Sequence, residues 1–174
     1  MRGVDDGTYE TAARACKDAV FAYAALLLGD PEEARDVAQE SLVRLWQRRA
    51  HVPDPAAARA WLFRTAHNLC LDRVRRGNSR AAPAAPGTLE ALAAGLDSAP
   101  DRKAFLRETA GAIGRALEAL KPRDRGVLLM REVHGLTYEE MAEVLSIPLG
   151  TLKAIVHRAR ERLRDRLIDA GVRP

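Results

Sequence analysis

The feature that most constrains this chain is a stretch near its C-terminal end, residues 136–167, which reads LTYEEMAEVLSIPLGTLKAIVHRARERLRDRL. Thr137 is followed three residues later by Glu140, which is a capping-box signature, so a helix is predicted from Thr137 to Leu145. Pro148 cannot continue that helix, and a second helix is predicted after the turn. Two short helices joined in this way are typical of a helix-turn-helix.

The predicted second helix, which begins near Gly150-Thr151, has one apolar and one basic face. Its apolar residues recur every three or four positions and form a stripe suited to burial: Leu149, Leu152, Val156, Ala159, Leu163 and Leu167. The remaining surface becomes dense in arginine, which suits the major groove of DNA and its flanking phosphates. A solvated charged face is the plainer alternative. The capped helix, the turn and the basic helix occur together, which favours DNA binding.

Composition points to an all-α protein with a polyanionic partner. Apolar residues make up 47% of the 174 residues but aromatic residues only 5%, and runs that alternate with period two are missing. The net charge of +4 is modest, but arginines cluster in residues 59–80 and 153–166. Such clustering indicates binding to a polyanion.

The two cysteines, Cys16 and Cys70, lie far apart in helical patterns, without the spacing of a metal site. They are predicted to be buried thiols in a reducing compartment, and no metal or cofactor is expected. There is no signal peptide, and the apolar run Phe21–Leu28 is too short to cross a bilayer. A cytoplasmic protein without membrane insertion is therefore expected.

The chain is predicted to form two small helical domains joined by a flexible linker, with the helix-turn-helix in the second. The first domain, residues 1–77, has helical patterns at Tyr9–Leu28, Pro31–Arg49 and Ala56–Arg76, with Trp46 on an inward face and His67 among the outward polar residues. Residues 78–100 are rich in Ala, Pro, Gly and Ser and are predicted to be the linker. Residues 101–174 carry helical patterns at 101–120 and 123–133 before the helix-turn-helix.

Four segments, in this order, resemble the extracytoplasmic-function group of bacterial sigma factors, small members of the main sigma family. They read GDPEEARDVAQESLVRLW, AWLFRTAHNLCLDRVRR, ALEALKPRDRGVLLMREVHGLTYEEMAEVL and IPLGTLKAIVHRARERL. The resemblance covers nearly the whole chain. It implies the second and fourth sigma domains joined by a linker, in an alternative sigma factor that binds core RNA polymerase and directs promoter-specific initiation.

The resemblance also implies roles for individual residues. The segment that docks on a coiled coil of the polymerase is matched by Asp36, Gln39, Glu40 and Arg44. The segment that reads and melts the minus-ten promoter element is matched by Trp61, Arg64, His67, Asn68, Arg73 and Arg76. Trp61 could stack on an unpaired base, although one Trp among Ala and Leu more often packs inside.

In the second domain, the resemblance places the reading face for the minus-thirty-five element on the second helix of the helix-turn-helix. The matching residues there are Thr151, Lys153, Ala154, His157 and Arg158. Thr137 and Tyr138 are predicted phosphate contacts at the positive end of the first helix.

Two positions depart from the family pattern. Ala154-Ile155 stand where the family usually has Ser-Arg, and Arg35 stands where Glu is common. They support one alternative, a sigma-like helix-turn-helix regulator without productive polymerase docking.

An enzyme that uses Cys70 as nucleophile and His67 as base is a third hypothesis. It is rejected because Cys70 fits a buried position and no acid is placed to orient His67. No catalytic residue and no small-molecule substrate are expected. The predicted partners are core RNA polymerase, promoter DNA and an anti-sigma factor acting in trans.

Overall fold

The computed structural model describes residues 6–77 and 111–172, and within these ranges the regular structure is helical. Predictions for the linker and for the start of the helix at 101–120 lie outside the described residues. The helices are α1 (Asp6–Leu28), α2 (Pro31–Arg48), α3 (Pro55–Arg75), α4 (described over 111–118), α5 (Pro122–Leu128), α6 (Tyr138–Leu145) and α7 (Leu149–Asp169). A 3₁₀ turn, Arg49–His51, follows α2, and a π-helical turn, Leu129–Val133, follows α5.

The first domain is a three-helix unit in which α1, α2 and α3 all pack against one another. Local sequence fixes where two of these helices begin. The Asp30 side chain accepts hydrogen bonds from the backbone N–H groups of Glu32 at 2.9 Å and Glu33 at 3.2 Å. Asp54 does the same for the N–H of Ala57 at 2.8 Å. Each aspartate precedes a proline at the first helical position, where the missing N–H costs nothing.

The helix-turn-helix forms as its sequence predicts. The Glu140 backbone N–H donates to Thr137 Oγ1 at 3.1 Å, and the Thr137 N–H donates to Glu140 Oε2 at 2.6 Å, so both halves of the capping box are present. Ser146 ends α6 in the left-handed conformation at φ 54°. The apolar stripe of α7 is turned inward, with Leu152, Val156 and Ala159 buried.

The two domains share one continuous apolar core. It runs from α1, α2 and α3 into α5, the π-helical turn, α6 and α7 without a break. Helices α1 and α3 pack against α5, α1 also packs against the π-helical turn, and α3 packs against α6. Helical periodicity alone did not predict this direct contact, because it reports which face of a helix is apolar and not what that face touches.

Trp46 was predicted to lie in the core, and this prediction is wrong. Its side chain is 39% exposed. The Tyr9 ring meets it edge-on with centroids 4.9 Å apart, and the Arg49 guanidinium lies 3.7 Å from its ring centroid. A tryptophan on the margin of an amphipathic helix is large enough to be covered by such partners without entering the core.

We expect that Thr137→Ala lowers the free energy of unfolding by about 1 kcal/mol, because the backbone N–H of Glu140 loses its acceptor. Urea unfolding followed by circular dichroism measures the change. Thr151→Ala is the matched control, since Thr151 is exposed near the start of α7, and its effect should stay within about 0.5 kcal/mol. Equal effects for both variants would contradict a stabilising cap.

Candidate nucleic-acid interface

Three of the six predicted DNA-reading residues of the first domain lie along one stripe of α3. Trp61, Arg64 and Asn68 are spaced by three and four residues, and Arg64 and Asn68 are exposed. Arg76, just beyond the helix, is also exposed. Trp61 is half-buried against the core, so its ring is anchored on one side and accessible on the other. This stripe offers cations, an amide and an aromatic edge to a single-stranded nucleic acid.

His67 does not join that stripe, and its predicted outward position is wrong. Its side chain is only 4% exposed. The Tyr23 hydroxyl lies 2.8 Å from His67 Nδ1. Burial favours the neutral imidazole, whose tautomer decides which of the two groups donates this hydrogen bond. In this arrangement His67 faces the second domain and not solvent.

Arg73, a predicted phosphate contact, is held by acidic residues of α2. Its Nε donates to Glu33 Oε2 at 2.6 Å, and its Nη2 lies 3.6 Å from Glu40 Oε2. The side chain is 17% exposed. Arg73 therefore joins α3 to α2 in this structure, and Arg64 and Arg76 are better placed to meet phosphates.

All five predicted reading residues of α7, Thr151, Lys153, Ala154, His157 and Arg158, are exposed. Two further arginines of the same helix are ion-paired within the domain, Arg160 with Glu132 and Arg162 with Asp124. The exposed basic residues of α7 thus include two arginines, Arg160 and Arg162, that are tied to carboxylates of the same domain.

The beginning of α6 lies beside this face. Thr137 is exposed, and Tyr138 is half-buried beneath the guanidinium of Arg131, whose carbon lies 4.8 Å from the ring centroid. The backbone N–H groups at this helix end carry the positive end of the helix dipole, which favours a phosphate.

The predicted polymerase-binding residues form the exposed side of α2. Asp36, Gln39 and Arg44 are exposed, while Glu40 is partly covered and bonds Arg44 at 2.6 Å. Beside them a groove of 630 Å³ runs between α1 and α2. Sequence reasoning missed the contribution of α1 to this groove, which is lined by Lys17, Asp18, Phe21, Arg35, Ala38, Gln39 and Leu42.

The environment of Cys70 argues against the hypothesis that it is a nucleophile. Cys70 is fully buried, as predicted, and burial raises its pKa to about 12, so the thiol stays protonated at neutral pH. In the described ranges, no group of three or more His, Cys, Asp and Glu residues is arranged to hold a metal ion. None of the helices in the described part of the chain is both long and apolar enough to span a membrane.

Comparison with known proteins identifies both halves of the chain. Residues 12–80 match the family described as sigma-70 region 2, and residues 110–163 match the family described as sigma-70, region 4. The chain is 33% identical over 159 residues to the ECF RNA polymerase sigma factor SigL of Mycobacterium tuberculosis, covering 88% of this chain and 85% of that protein. This chain belongs to the ECF sigma factors.

Other relatives support the same family. This sigma factor is 31% identical over 160 residues to the ECF RNA polymerase sigma factor SigE of Mycolicibacterium smegmatis, covering 92% of the chain. It spans only 62% of the length of that relative. It is also 28% identical to SigW of Bacillus subtilis over 88% of the chain and 85% of that protein. ECF sigma factors are alternative sigma factors that direct RNA polymerase to initiate transcription.

Solved structures share its fold. The sigma factor RpoE, in complex with the anti-sigma factor NepR from Bartonella quintana, superposes with a TM-score of 0.66 at 21% identity, over 91% of this chain and 96% of that one. CnrH, in complex with the cytosolic domain of CnrY, gives 0.61 at 24% identity, over 94% of this chain and 96% of that one. The all-α architecture predicted from the sequence is thus confirmed.

Buried His67 makes the stability of this sigma factor depend on pH. Burial, and to a smaller extent the nearby positive charge of Arg123, lower its pKa from 6.5 to about 4. Because the pKa falls on folding, the stabilisation by the neutral imidazole is fully present above pH 6.5 and is lost as the pH falls from there towards 4. At about pH 5 the loss from His67 should be about 2 kcal/mol.

Urea unfolding at about pH 7.5 and about pH 5 measures this loss. Between these pH values the free energy of unfolding of His67→Gln should fall by about 2 kcal/mol less than that of the wild type. His157→Gln is the control, because His157 is exposed on α7, and it should follow the wild type. Parallel pH profiles for the wild type and His67→Gln would contradict the assignment.

Proposed function

We propose that this chain binds core RNA polymerase through the exposed side of α2 and directs it to promoters through α3 and α7. The observation that carries the proposal is the arrangement of three outward polar faces on three separate helices of two sigma domains. One face offers acidic and amide groups beside an apolar groove, and the other two offer cations and hydrogen-bonding groups suited to DNA. The chain itself performs no catalytic step, since the polymerase carries out the chemistry.

The alternative of a DNA-binding regulator without polymerase docking depended on the two departures from the family pattern. Arg35 Nη1 lies 2.5 Å from Glu32 Oε1 on the same exposed surface, so its positive charge is balanced within α2. Ile155 is half-buried and packs against the core, so of the departing pair only Ala154 changes the reading face. Both observations favour the sigma factor over the alternative.

We infer further that the chain works in the cytoplasm beside the polymerase, and that an anti-sigma protein restrains it in trans. Two solved structures that share its fold are complexes with NepR, an anti-sigma factor, and with the cytosolic domain of CnrY. The groove between α1 and α2 has an apolar floor at Phe21 and Leu42 and charged rims, which suits an amphipathic helix of a partner.

We expect added positive charge on the exposed side of α2 to weaken polymerase binding and reduce polymerase-dependent transcription. The variant Asp36→Lys with Gln39→Lys changes exposed residues only, whereas reversal of Glu40 would also break its contacts with Arg44 and Arg73. Affinity for core polymerase should fall at least about tenfold, since like charges meet where opposite charges are expected. Co-migration with core polymerase and run-off transcription on sheared genomic DNA measure the effect.

Asp169→Lys is the matched control for that variant, because it reverses an exposed charge at the end of α7 in the other domain. It should leave polymerase binding unchanged. Failure of the wild-type chain to bind core polymerase and to give transcripts would reject the proposed function.

DNA binding by α7 should distinguish Arg158, on the predicted reading face, from Arg162, which is ion-paired with Asp124. We expect Arg158→Gln to reduce the slope of log Kd against log salt by about 0.9, the value for one phosphate contact. Arg162→Gln should leave the slope nearly unchanged, because Arg162 is paired with Asp124. Fluorescence anisotropy of the full chain with random-sequence duplex DNA measures both slopes. Equal reductions would contradict the division of α7 into a DNA face and a structural face.

A further inference from the structure

The outer side of α7 has small residues along its middle. Leu152, Val156 and Ala159 are buried and define the inner side of the helix. Because successive residues of an α-helix are about 100° apart, Ala154 lies about 200° from Leu152, almost opposite the buried stripe. Gly150 is one turn earlier on the same side, and both residues are exposed. The first two turns of α7 therefore present bare backbone and one methyl group at the middle of their outer face.

Packing within the described part of the chain does not require the glycine at position 150. A Cβ atom added to Gly150 would meet no atom of another part of the chain within 4 Å. Its φ angle is not positive, so alanine would fit the same backbone conformation. Glycine is also a poor helix former, and position 150 lies in the first turn of α7. A glycine that the fold does not require suits the close approach of another molecule to the helix backbone.

Arg158 lies on one side of this small-residue strip, and its guanidinium is directed towards Ala154. The Arg158 Nε atom donates a hydrogen bond to the Ala154 carbonyl oxygen at 3.3 Å. This bond uses one donor of the guanidinium, which carries five N–H groups in a planar fork. Two donors of such a fork match O6 and N7 of guanine. The group of α7 that suits guanine therefore lies next to Ala154.

His157 lies on the other side of the strip and is directed along the helix, away from Ala154. The His157 Nδ1 atom is 3.3 Å from Glu161 Oε2, one turn farther from the start of α7. Ala154 itself is exposed between His157 and Arg158. Its methyl group is therefore accessible to a molecule that contacts the outer face of α7.

A methyl group at this position can distinguish one base from the others. In the major groove, thymine presents a methyl group at C5, and an alanine side chain makes apolar contact with it. Alanine has no side-chain donor or acceptor, so it forms no hydrogen bond with any base. The family pattern has serine at the position of Ala154, and its hydroxyl group would bond to base edges. The change from serine to alanine exchanges a hydrogen-bonding contact for one that depends on a methyl group.

We propose that Ala154 determines specificity for the minus-thirty-five element by contacting the C5 methyl group of a thymine, beside a guanine that Arg158 contacts. Gly150 lets the start of α7 lie close enough to the base edges for the short Ala154 side chain to reach them. This role of Ala154 rests on the DNA-binding function proposed above for α7 and adds the base chemistry that the helix reads. Such a contact depends on the methyl group of the base and not on its hydrogen-bonding groups.

The methyl contact is tested on duplex DNA selected from a random-sequence pool by the full chain and, in parallel, by its complex with core polymerase. Each thymine of the selected site is replaced in turn by deoxyuridine, which removes only the methyl group. At one thymine, next to a guanine, this replacement should weaken binding about fourfold, the value for one methyl group returned to water. At the same position 5-methylcytosine should bind as tightly as thymine, and cytosine as weakly as deoxyuridine. Fluorescence anisotropy measures each dissociation constant.

Ala154→Gly removes the methyl group on the protein side of the same contact. This variant should bind the thymine and deoxyuridine duplexes equally, with about the affinity of the wild type for the deoxyuridine duplex. Ala170→Gly is the matched control, because it makes the same change at an exposed alanine that follows the last turn of α7, and it should keep the full methyl effect. A purely structural effect of glycine would weaken binding to both duplexes and leave their ratio unchanged.

Gly150→Ala tests the close approach of α7 to the bases. The variant should unfold at the same temperature as the wild type or a higher one, because alanine is the better helix former and no neighbouring atom obstructs its Cβ. It should nevertheless bind the selected duplex more weakly and lose the methyl effect, since the new methyl group holds the helix away from the base edges. Loss of binding without loss of stability identifies a contact with DNA.

Three results would overturn the proposal: equal binding of thymine and deoxyuridine duplexes at every position of the site, a methyl effect that persists in Ala154→Gly, or enrichment of no sequence by either form of the chain. These outcomes are distinguishable from failure of the proposed function. A methyl-dependent site without run-off transcription would reject initiation by this chain and retain the contact of Ala154. Transcripts from promoters without a methyl-sensitive thymine would do the reverse.

Discussion

The C-terminal half of α1 is the support on which both domains depend. Tyr23 is fully buried there and meets Phe63, His67 and His134, so its ring contacts both domains at once. Leu27 is the penultimate residue of the same helix, and its carbonyl oxygen accepts a hydrogen bond from buried Arg125. A helix end needs partners for its last carbonyl groups, and here the second domain supplies one of them.

This dependence explains why the predicted promoter-reading residues divide into two groups. Those on the outer stripe of α3, such as Arg64 and Asn68, are exposed in the structure. His67 lies on the stripe next to it, which the second domain covers. One side of α3 is therefore exposed, and the adjacent side packs against the second domain. His67 lies on the packed side, next to the exposed stripe.

Much of the fold could be predicted from sequence because it is set locally. The Asp-Pro helix starts, the Thr137–Glu140 capping box and the apolar stripe of α7 depend on residues a few positions apart, and the structure has each of them. Trp46 and His67 were misplaced because their environment comes from distant residues. Polarity argues for an exposed His and a buried Trp, but Tyr23 partners His67, and Tyr9 with Arg49 covers Trp46.

The candidate site could be predicted less completely than the fold. The resemblance to sigma factors located the segments, but it could not tell an arginine that faces solvent from one held by carboxylates, as Arg73 is by Glu33. The same limit applied to the departures from the family pattern. The sequence did not reveal that Ile155 packs against the core or that Arg35 is paired with Glu32.

Glu140 combines two roles that are separate in most proteins. Its carboxylate completes the cap of the helix-turn-helix and also faces Arg59 across the domain contact. Loss of the carboxylate would therefore weaken the start of the helix-turn-helix and, in the same step, remove a charged contact between the two domains. A substitution at this position cannot alter one of these contacts while leaving the other unchanged.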